Sequence, residues 1–251
     1  QENNIELINN DPVEKVDKEN KIVTTSKGIE VEYDICIFAT GSKAFVLPIP
    51  GSNLPSVIGW RTIDDTNKMI EIAQTKKRAV VIGGGLLGLE CARGLLDQGM
   101  EVTVLHLADW LMEMQLDRKA GEMLKADLEK QGMKIELQAN SKEIIGDKDV
   151  EAIKLADGRV IETDLVVMAV GIRPYTEVAK DSGLDVNRGI VVNDYMQTSD
   201  SHIYAVGECA EHDGKVYGLV APLYEQGKVL ADYLTGKETK GYKGSTTFTS
   251  L

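Results

Sequence analysis

Cysteine is scarce in this chain. Cys36, Cys91 and Cys209 stand far apart, and no two form a C-x-x-C pair. That excludes a disulfide framework and an iron–sulfur site built from clustered thiols, and it points to a reducing cytoplasm. Cys36 and Cys91 lie in apolar surroundings and read as core residues, and Cys209, after a loop glycine, as structural. Long apolar runs are missing too. None approaches the ~20 residues that a membrane-spanning helix needs, and no secretory leader opens the chain. The first residue is Gln rather than Met, which reads as a trimmed start. Basic charge is in deficit: 28 Lys and Arg face 40 Asp and Glu, for a net charge of −12. An acidic chain without a basic block is a poor partner for nucleic acid or an anionic membrane. Aromatics are few, at 5%, whereas glycines number 24 in 251 residues. That balance leans towards an α/β protein of one or two domains with tight turns between strands and helices.

The most informative stretch is "RAVVIGGGLLGLECARGLLDQGMEVTVLH", residues 78–106. The apolar run 78–83 stopped by glycine predicts a buried strand. Residues 86–99 place Leu87, Cys91 and Leu95 at helical spacing, with Gly99 as a stop, and 101–106 predicts a second strand. Gly83-x-Gly85-x-x-Gly88 therefore sits between strand and helix inside a βαβ unit, the context that a dinucleotide fingerprint requires. Gly83 allows the tight turn, Gly85 lets the backbone approach a pyrophosphate, and Gly88 lets the helix pack on the sheet. The helix start at Leu86 and Leu87 offers free N–H groups and partial positive charge to phosphates. The residue closing the second strand is commonly Asp or Glu, which holds the adenosine ribose. Here it is His106, which either contacts the ribose or sits on the surface without a ligand, so NADH and NADPH both stay open.

A duplication lies further along. "GIEVEYDICIFATGS" (28–42) and "GRVIETDLVVMAVGI" (158–172) share a turn glycine, an Asp six residues on, and a glycine seven residues later that stops an apolar strand. Each copy follows a hairpin pattern. Two copies predict two related nucleotide-binding domains. The second copy has its phosphate loop 86 residues before Gly171; the same offset puts the first copy's loop about 45 residues ahead of residue 1. The organisation expected is a complete NAD-binding domain (57–172) inserted into a truncated FAD-binding domain (1–52 and 173–251), both of Rossmann-like α/β fold. A proline-rich linker is expected at 46–56. Amphipathic helices are expected at 116–132, with Leu116, Ala120, Leu124 and Leu128 on one face, and at 222–236. A third apolar strand is expected within 199–210.

These motifs resemble those of the FAD- and NAD-dependent pyridine nucleotide oxidoreductases. "FATGS", "GGGLLGLE", "AVGIRP" and "IYAVGECA" are similar to the family's ATG segment, NAD loop, nicotinamide-side turn and second FAD motif. Within it, "LMEMQLD" (111–117) and the stretch 206–236 resemble the large subunits of assimilatory NAD(P)H nitrite reductases. The resemblance implies hydride transfer from NAD(P)H to FAD and no catalytic side chain or metal ligand in this segment. It places Gly83, Gly85, Leu86, Leu87, Gly88, Glu90, His106, Gly171 and Ile172 at NAD, and Thr40, Gly41, Arg61, Gly207, Glu208 and Pro222 at FAD. Gly207-Glu208 departs from the family's Gly-Asp but keeps a carboxylate. Arg61 serves FAD phosphates or a surface salt bridge, Glu90 the site or the solvated helix face, and Tyr224 the isoalloxazine or packing. Sirohaem and an iron–sulfur cluster would belong to downstream regions, with a nitrite reductase small subunit as a further partner. FAD retention by a segment without the upstream loop is in doubt on this reading. Rubredoxin, ferredoxin or NADH-oxidase type reductases, and a non-catalytic NAD-binding module, are the alternatives.

Overall fold

The computed structural model describes residues 4–246, so the outermost ends of the expected first and last segments, 1–3 and 247–251, lie outside the described residues. The chain divides into two compact units, an inserted one at 44–172 and an outer one formed by 4–43 with 173–246. The outer unit begins with β1 (Val13–Asp17), β2 (Ile22–Thr25), β3 (Glu30–Glu32) and β4 (Cys36–Phe38), and the chain crosses over within β5 (Ser42–Ala44).

The inserted unit runs β6 (Val57–Gly59), α1 (Ile63–Ala73), β7 (Arg78–Ile82), α2 (Leu86–Asp97), β8 (Glu101–Leu105), α3 (Arg118–Lys130) and β9 (Lys134–Glu136). It continues with β10 (Ser141–Ile145), β11 (Ala152–Leu155), β12 (Val160–Glu162) and β13 (Leu165–Met168). Five strands form a parallel sheet in the order β6-β13-β7-β8-β9. Its central strands are apolar at successive positions because both faces are covered, as parallel sheets require. Val81, Val102, Val104, Leu165 and Val167 point to one face, where they pack with Met69, Leu89, Cys91, Ala92 and Leu95 of α1 and α2. Their neighbours Val80, Ile82, Leu105, Val166 and Met168 point to the other, where Ile144, Ile153 and Leu155 of the antiparallel sheet β10-β11-β12 cover them. The expected helix at 116–132 is α3, whose Leu124 and Leu128 pack on the helical side.

Two expectations change. The stretch 46–56 is not a linker: Leu47, Ile49 and Leu54 pack into the second core layer, so the unit begins at Ala44. Leu87 does not share the buried face of α2. It is 55% exposed, whereas Gly88, Leu89, Cys91, Ala92 and Leu95 are buried. Leu87 lies in the first turn, where the helix has only begun to pass over the sheet.

The chain returns to the outer unit within β14 (Ile172–Pro174) and continues through α4 (Glu177–Asp181), β15 (Ile190–Val192), β16 (Ile203–Ala205), β17 (Ala210–His212), β18 (Lys215–Val216) and α5 (Val220–Leu234). β16 pairs in parallel with β4, and β15-β17-β18 form a small mixed sheet. Among the described residues no helix is long and apolar enough to cross a membrane.

The duplication is present in three dimensions. β1-β2-β3 and β10-β11-β12 are both antiparallel three-stranded sheets, and each has an irregularity at the same place, between Val13 and Lys15 and between Ser141 and Glu143. The turn glycines Gly28 and Gly158 have φ of 81° and 93°, and the strand-ending Gly41 and Gly171 have 65° and 100°, left-handed values that glycine adopts without strain. Even the strand register repeats: Cys36 pairs with Ile203 in one copy and Val166 with Val57 in the other. The copies differ at the opposite edge. β13 also pairs with β7, and Asp164 tightens that edge by accepting the Arg78 N–H at 3.0 Å and pairing with its guanidinium at 3.0 Å. The hydrogen bond from the Arg78 side chain holds the Asp164 carboxyl below the usual aspartate range. Among the described residues β4 pairs with β16 alone. Ile35 and Ile37 are accordingly 44% and 46% exposed, where their counterparts Leu165 and Val167 are at 0%. Leu165→Ala is therefore expected to cost about 2–5 kcal/mol, as for a buried leucine, and Ile35→Ala less than about 1 kcal/mol. Urea unfolding of the two variants measures both, and equal losses would contradict the asymmetry.

Candidate functional site

Three glycines in the loop between β7 and α2 and a fourth in the first turn of α2 lie within reach of one another, and they are glycine for different reasons. At Gly83 φ is +119°, and a Cβ would lie 2.3 Å from the Ala169 carbonyl oxygen. At Gly88 it would lie 1.9 Å from the Gly83 carbonyl oxygen, so α2 crosses the end of β7 at backbone contact. At Gly84 it would meet Leu111 Cδ2 at 2.6 Å and His106 Cγ at 2.8 Å. Gly85 is different: its φ of −85° suits any residue, and a Cβ there would meet nothing within 4 Å. Gly85 is also the N-cap of α2. No side chain caps the first N–H groups of the helix, and no acidic residue in the first turn offsets their partial positive charge. A cavity of about 570 Å³ lies against Gly83, Gly84, Gly85 and Leu86, and His106 and Glu113 also line it.

His106 is 6% exposed, and both of its ring nitrogens are engaged. Nδ1 accepts the Gly84 N–H at 3.0 Å, and Nε2 lies 2.9 Å from Glu113 Oε2. An Nδ1 that accepts from an amide puts the proton of the neutral ring on Nε2, aimed at the carboxylate. The surface alternative for His106 is thereby excluded: the ring supports the loop from beneath. Gly84 is held on its other side as well, because its carbonyl accepts the Met112 N–H at 3.0 Å. Leu111 and Met112 are buried at 0% and 3%, and Met112 takes a left-handed φ of 54°. The segment 108–117 therefore clamps the glycine loop. The distinctive "LMEMQLD" run was the available signal, but nothing in its pattern says where it docks.

Glu90 lies on the exposed face of α2. Gly171, Ile172 and Leu87 share a second cavity of about 340 Å³ with Trp60, Thr66 and Arg61. Arg61, expected at FAD, belongs to the inserted unit and lies beside residues expected at NAD. It directly precedes the N-cap of α1, Thr62, and its N–H bonds Asp65 Oδ2 at 3.0 Å; Thr62 and Asp65 form a capping box.

In the outer unit, Thr40 Oγ1 donates to the Tyr175 carbonyl at 2.9 Å. Next to it the left-handed Gly41 leads to Ser42, whose hydroxyl donates to Glu208 Oε2 at 2.8 Å. Gly207 N–H donates to Gln226 Oε1 at 2.9 Å, four residues after the buried Pro222 on α5. Both Gly41 and Gly207 have open space where a Cβ would be. Hydrogen bonds thus link β5 to Glu208 and Gly207 to α5 around a buried carboxylate. Ser42 and Gln226 had not been singled out. Gln226 had a signal, a polar residue in the apolar stripe Pro222, Gln226, Leu230. Tyr224 is 76% exposed, so it does not pack in the core.

Burial pushes the Cys36 thiol up to about 11 and the Cys91 thiol to about 12, so neither ionises near neutral pH. All three cysteines are free thiols. Residues 1–227 match the family model described as pyridine nucleotide-disulphide oxidoreductase. The chain belongs to this family. It is 58% identical over 251 residues to the NAD(P)H nitrite reductase of Bacillus subtilis (strain 168), covering 100% of this chain and 31% of that protein. It is 34% identical over 238 residues to an NADH-rubredoxin oxidoreductase of Clostridium acetobutylicum, covering 95% of this chain and 59% of that one. A crystal structure of a ferredoxin reductase from Rhodopseudomonas palustris superposes with a TM-score of 0.89 at 32% identity, covering 96% of this chain and 61% of the other. The family's Rossmann-like α/β fold is the fold found here. The chain spans less than two thirds of each of these relatives.

The loop geometry separates glycines that the packing requires from one that it does not. Gly88→Ala is expected to cost about 3 kcal/mol, the upper end for overpacking, because the neighbouring atom is backbone. Gly85→Ala should cost below about 1 kcal/mol, the loss of a glycine N-cap. Thermal melting of both variants checks the contrast.

Proposed function

We propose that the inserted unit binds the pyrophosphate of NAD(P)H at Gly83–Gly88, and that the chain is the electron-input part of a longer flavoprotein of the nitrite reductase type. One observation carries the nucleotide site: of Gly83, Gly84, Gly85 and Gly88, Gly85 alone is not required by the protein's own packing, so the space beside it is kept for something else. The N–H groups of Leu86, Leu87 and Gly88 point the helix dipole at that space. Gly171 and Ile172, with Leu87, line the neighbouring cavity that would take the nicotinamide end.

Thr40, Gly41, Gly207, Glu208 and Pro222 are read as part of an FAD site, with Glu208 as the carboxylate that accepts from a ribityl or ribose hydroxyl. Among the described residues the second edge of β4 has no strand partner, which supports this. By the internal repeat it corresponds to the edge of β13 that receives β7, the strand leading into the phosphate loop. A preceding segment of the longer protein, carrying a second such strand and loop, fits there. When both are bound, NAD(P)H supplies a hydride and FAD accepts it; the side chains here bind and orient, and none need carry a proton. The higher identity to a nitrite reductase than to a rubredoxin reductase favours nitrite over rubredoxin as the destination of the electrons. Nitrite would then be reduced to ammonia at sirohaem and iron–sulfur groups held by other segments, with a small subunit as partner.

Calorimetry with NADH tests the site directly. Gly85→Val puts a branched side chain into the phosphate space and should weaken binding by at least about tenfold, a loss of about 1.4 kcal/mol, with little change in melting temperature. Equal affinities would overturn the site. In a separate measurement, this chain mixed with FAD and gel-filtered should elute largely colourless, while the longer natural protein elutes yellow. Stoichiometric flavin on this chain would remove the need for a preceding loop.

A further inference from the structure

The corner of the cavity beside His106 has a charge pattern that the sequence did not reveal. The residue closing β8, His106, was expected either at the adenosine ribose or on the surface, and its ring is instead engaged by the protein, bonded to Gly84 at 3.0 Å and to Glu113 at 2.9 Å. Glu113 reaches that place from the clamp segment, seven residues on. Its side chain is 36% exposed, so the carboxylate is open to solvent at the cavity while one oxygen is bound to His106. The position is fixed, because Met112, its neighbour, is buried and bonded to the Gly84 carbonyl at 3.0 Å. Among the described residues, His106 and Glu113 are the titratable ones lining this cavity, and no Lys or Arg lines it.

We infer that Glu113, acting from the clamp segment, sets the preference of this site for a dinucleotide with a free ribose diol over one with a 2′-phosphate. The inference rests on the pyridine-nucleotide reading of the glycine loop. A carboxylate accepts hydrogen bonds from vicinal hydroxyls. A 2′-phosphate, carrying about −1.5 to −2 charges at neutral pH, meets a like charge with no cation to offset it. His106 contributes indirectly. Its Nε2–H holds the carboxylate at the cavity wall, so the histidine is a positioning residue and the glutamate the discriminating one.

The test is calorimetric titration of the chain with NAD+ and with NADP+, for wild type and Glu113→Gln. Glutamine keeps an oxygen that accepts from His106 Nε2–H, so the clamp stays in place while the charge is removed, and an unchanged melting temperature confirms it. Wild type should bind NADP+ at least about tenfold more weakly than NAD+, and Glu113→Gln should bring the two affinities to within about threefold of each other, by tightening NADP+ and weakening NAD+. Raising the salt concentration should narrow the wild-type ratio and leave the variant's ratio nearly unchanged. A ratio that the substitution leaves unaltered, with NAD+ still bound, overturns the Glu113 assignment alone. Equal weakening of both nucleotides also overturns it, since it would mean that the carboxylate only supports the loop. Wild type binding neither nucleotide would overturn the dinucleotide site and this inference with it.

Discussion

The Gly83 carbonyl and the Gly88 Cα come so close that no side chain fits between them, and the inserted unit is organised around that contact. It sets the angle at which α2 leaves β7. Because α2 starts directly there, its N-cap Gly85 and first residue Leu86 line a cavity. The apolar face of α2 then falls on Val81, Val104 and Val167, and the helical half of the core follows from it. A larger residue at Gly88 would push the helix away from the Gly83 carbonyl and misdirect the dipole together with the packing.

A loop that approaches so closely has little to hold it in place except hydrogen bonds, and both backbone groups of Gly84 are tied. His106 takes the N–H from below, and Met112 supplies an N–H to the carbonyl. Two segments that are 22 and 28 positions away in sequence therefore fix the same peptide. Rigidity of this kind lowers the entropy that a bound phosphate would otherwise have to remove. It also explains how an imidazole can stand where an acid is common: the acid arrives from elsewhere, and the imidazole carries it.

The two units use one module in two environments. In the inserted unit the repeat's strand is buried on both edges and both faces, and its Asp anchors the start of the neighbouring strand. In the outer unit the same strand has one partner among the described residues, and its Asp34 lies exposed. Identical turn chemistry, with left-handed glycines at matching places, survives this difference because it is local. Burial does not survive it, because burial is a property of neighbours.

That distinction governs what could be read in advance. The β7–α2–β8 unit, the separate roles of Gly83 and Gly88, the duplication and the amphipathic α3 were all legible, since apolar period and glycine placement encode them over short spans. The apolar residues at 46–56 were visible, but prolines masked them as a linker; packing against Ile144 and Ile153 made them core. The neighbourhood of Arg61, the docking of "LMEMQLD" on Gly84, and the joint work of Ser42, Glu208, Gly207 and Gln226 join residues 19 to 166 positions apart. Glycines between an apolar strand and an amphipathic helix are enough to say where a loop of this shape forms. Which side chains surround it depends on the fold, because contacts between distant segments follow no periodicity that a single strand or helix displays.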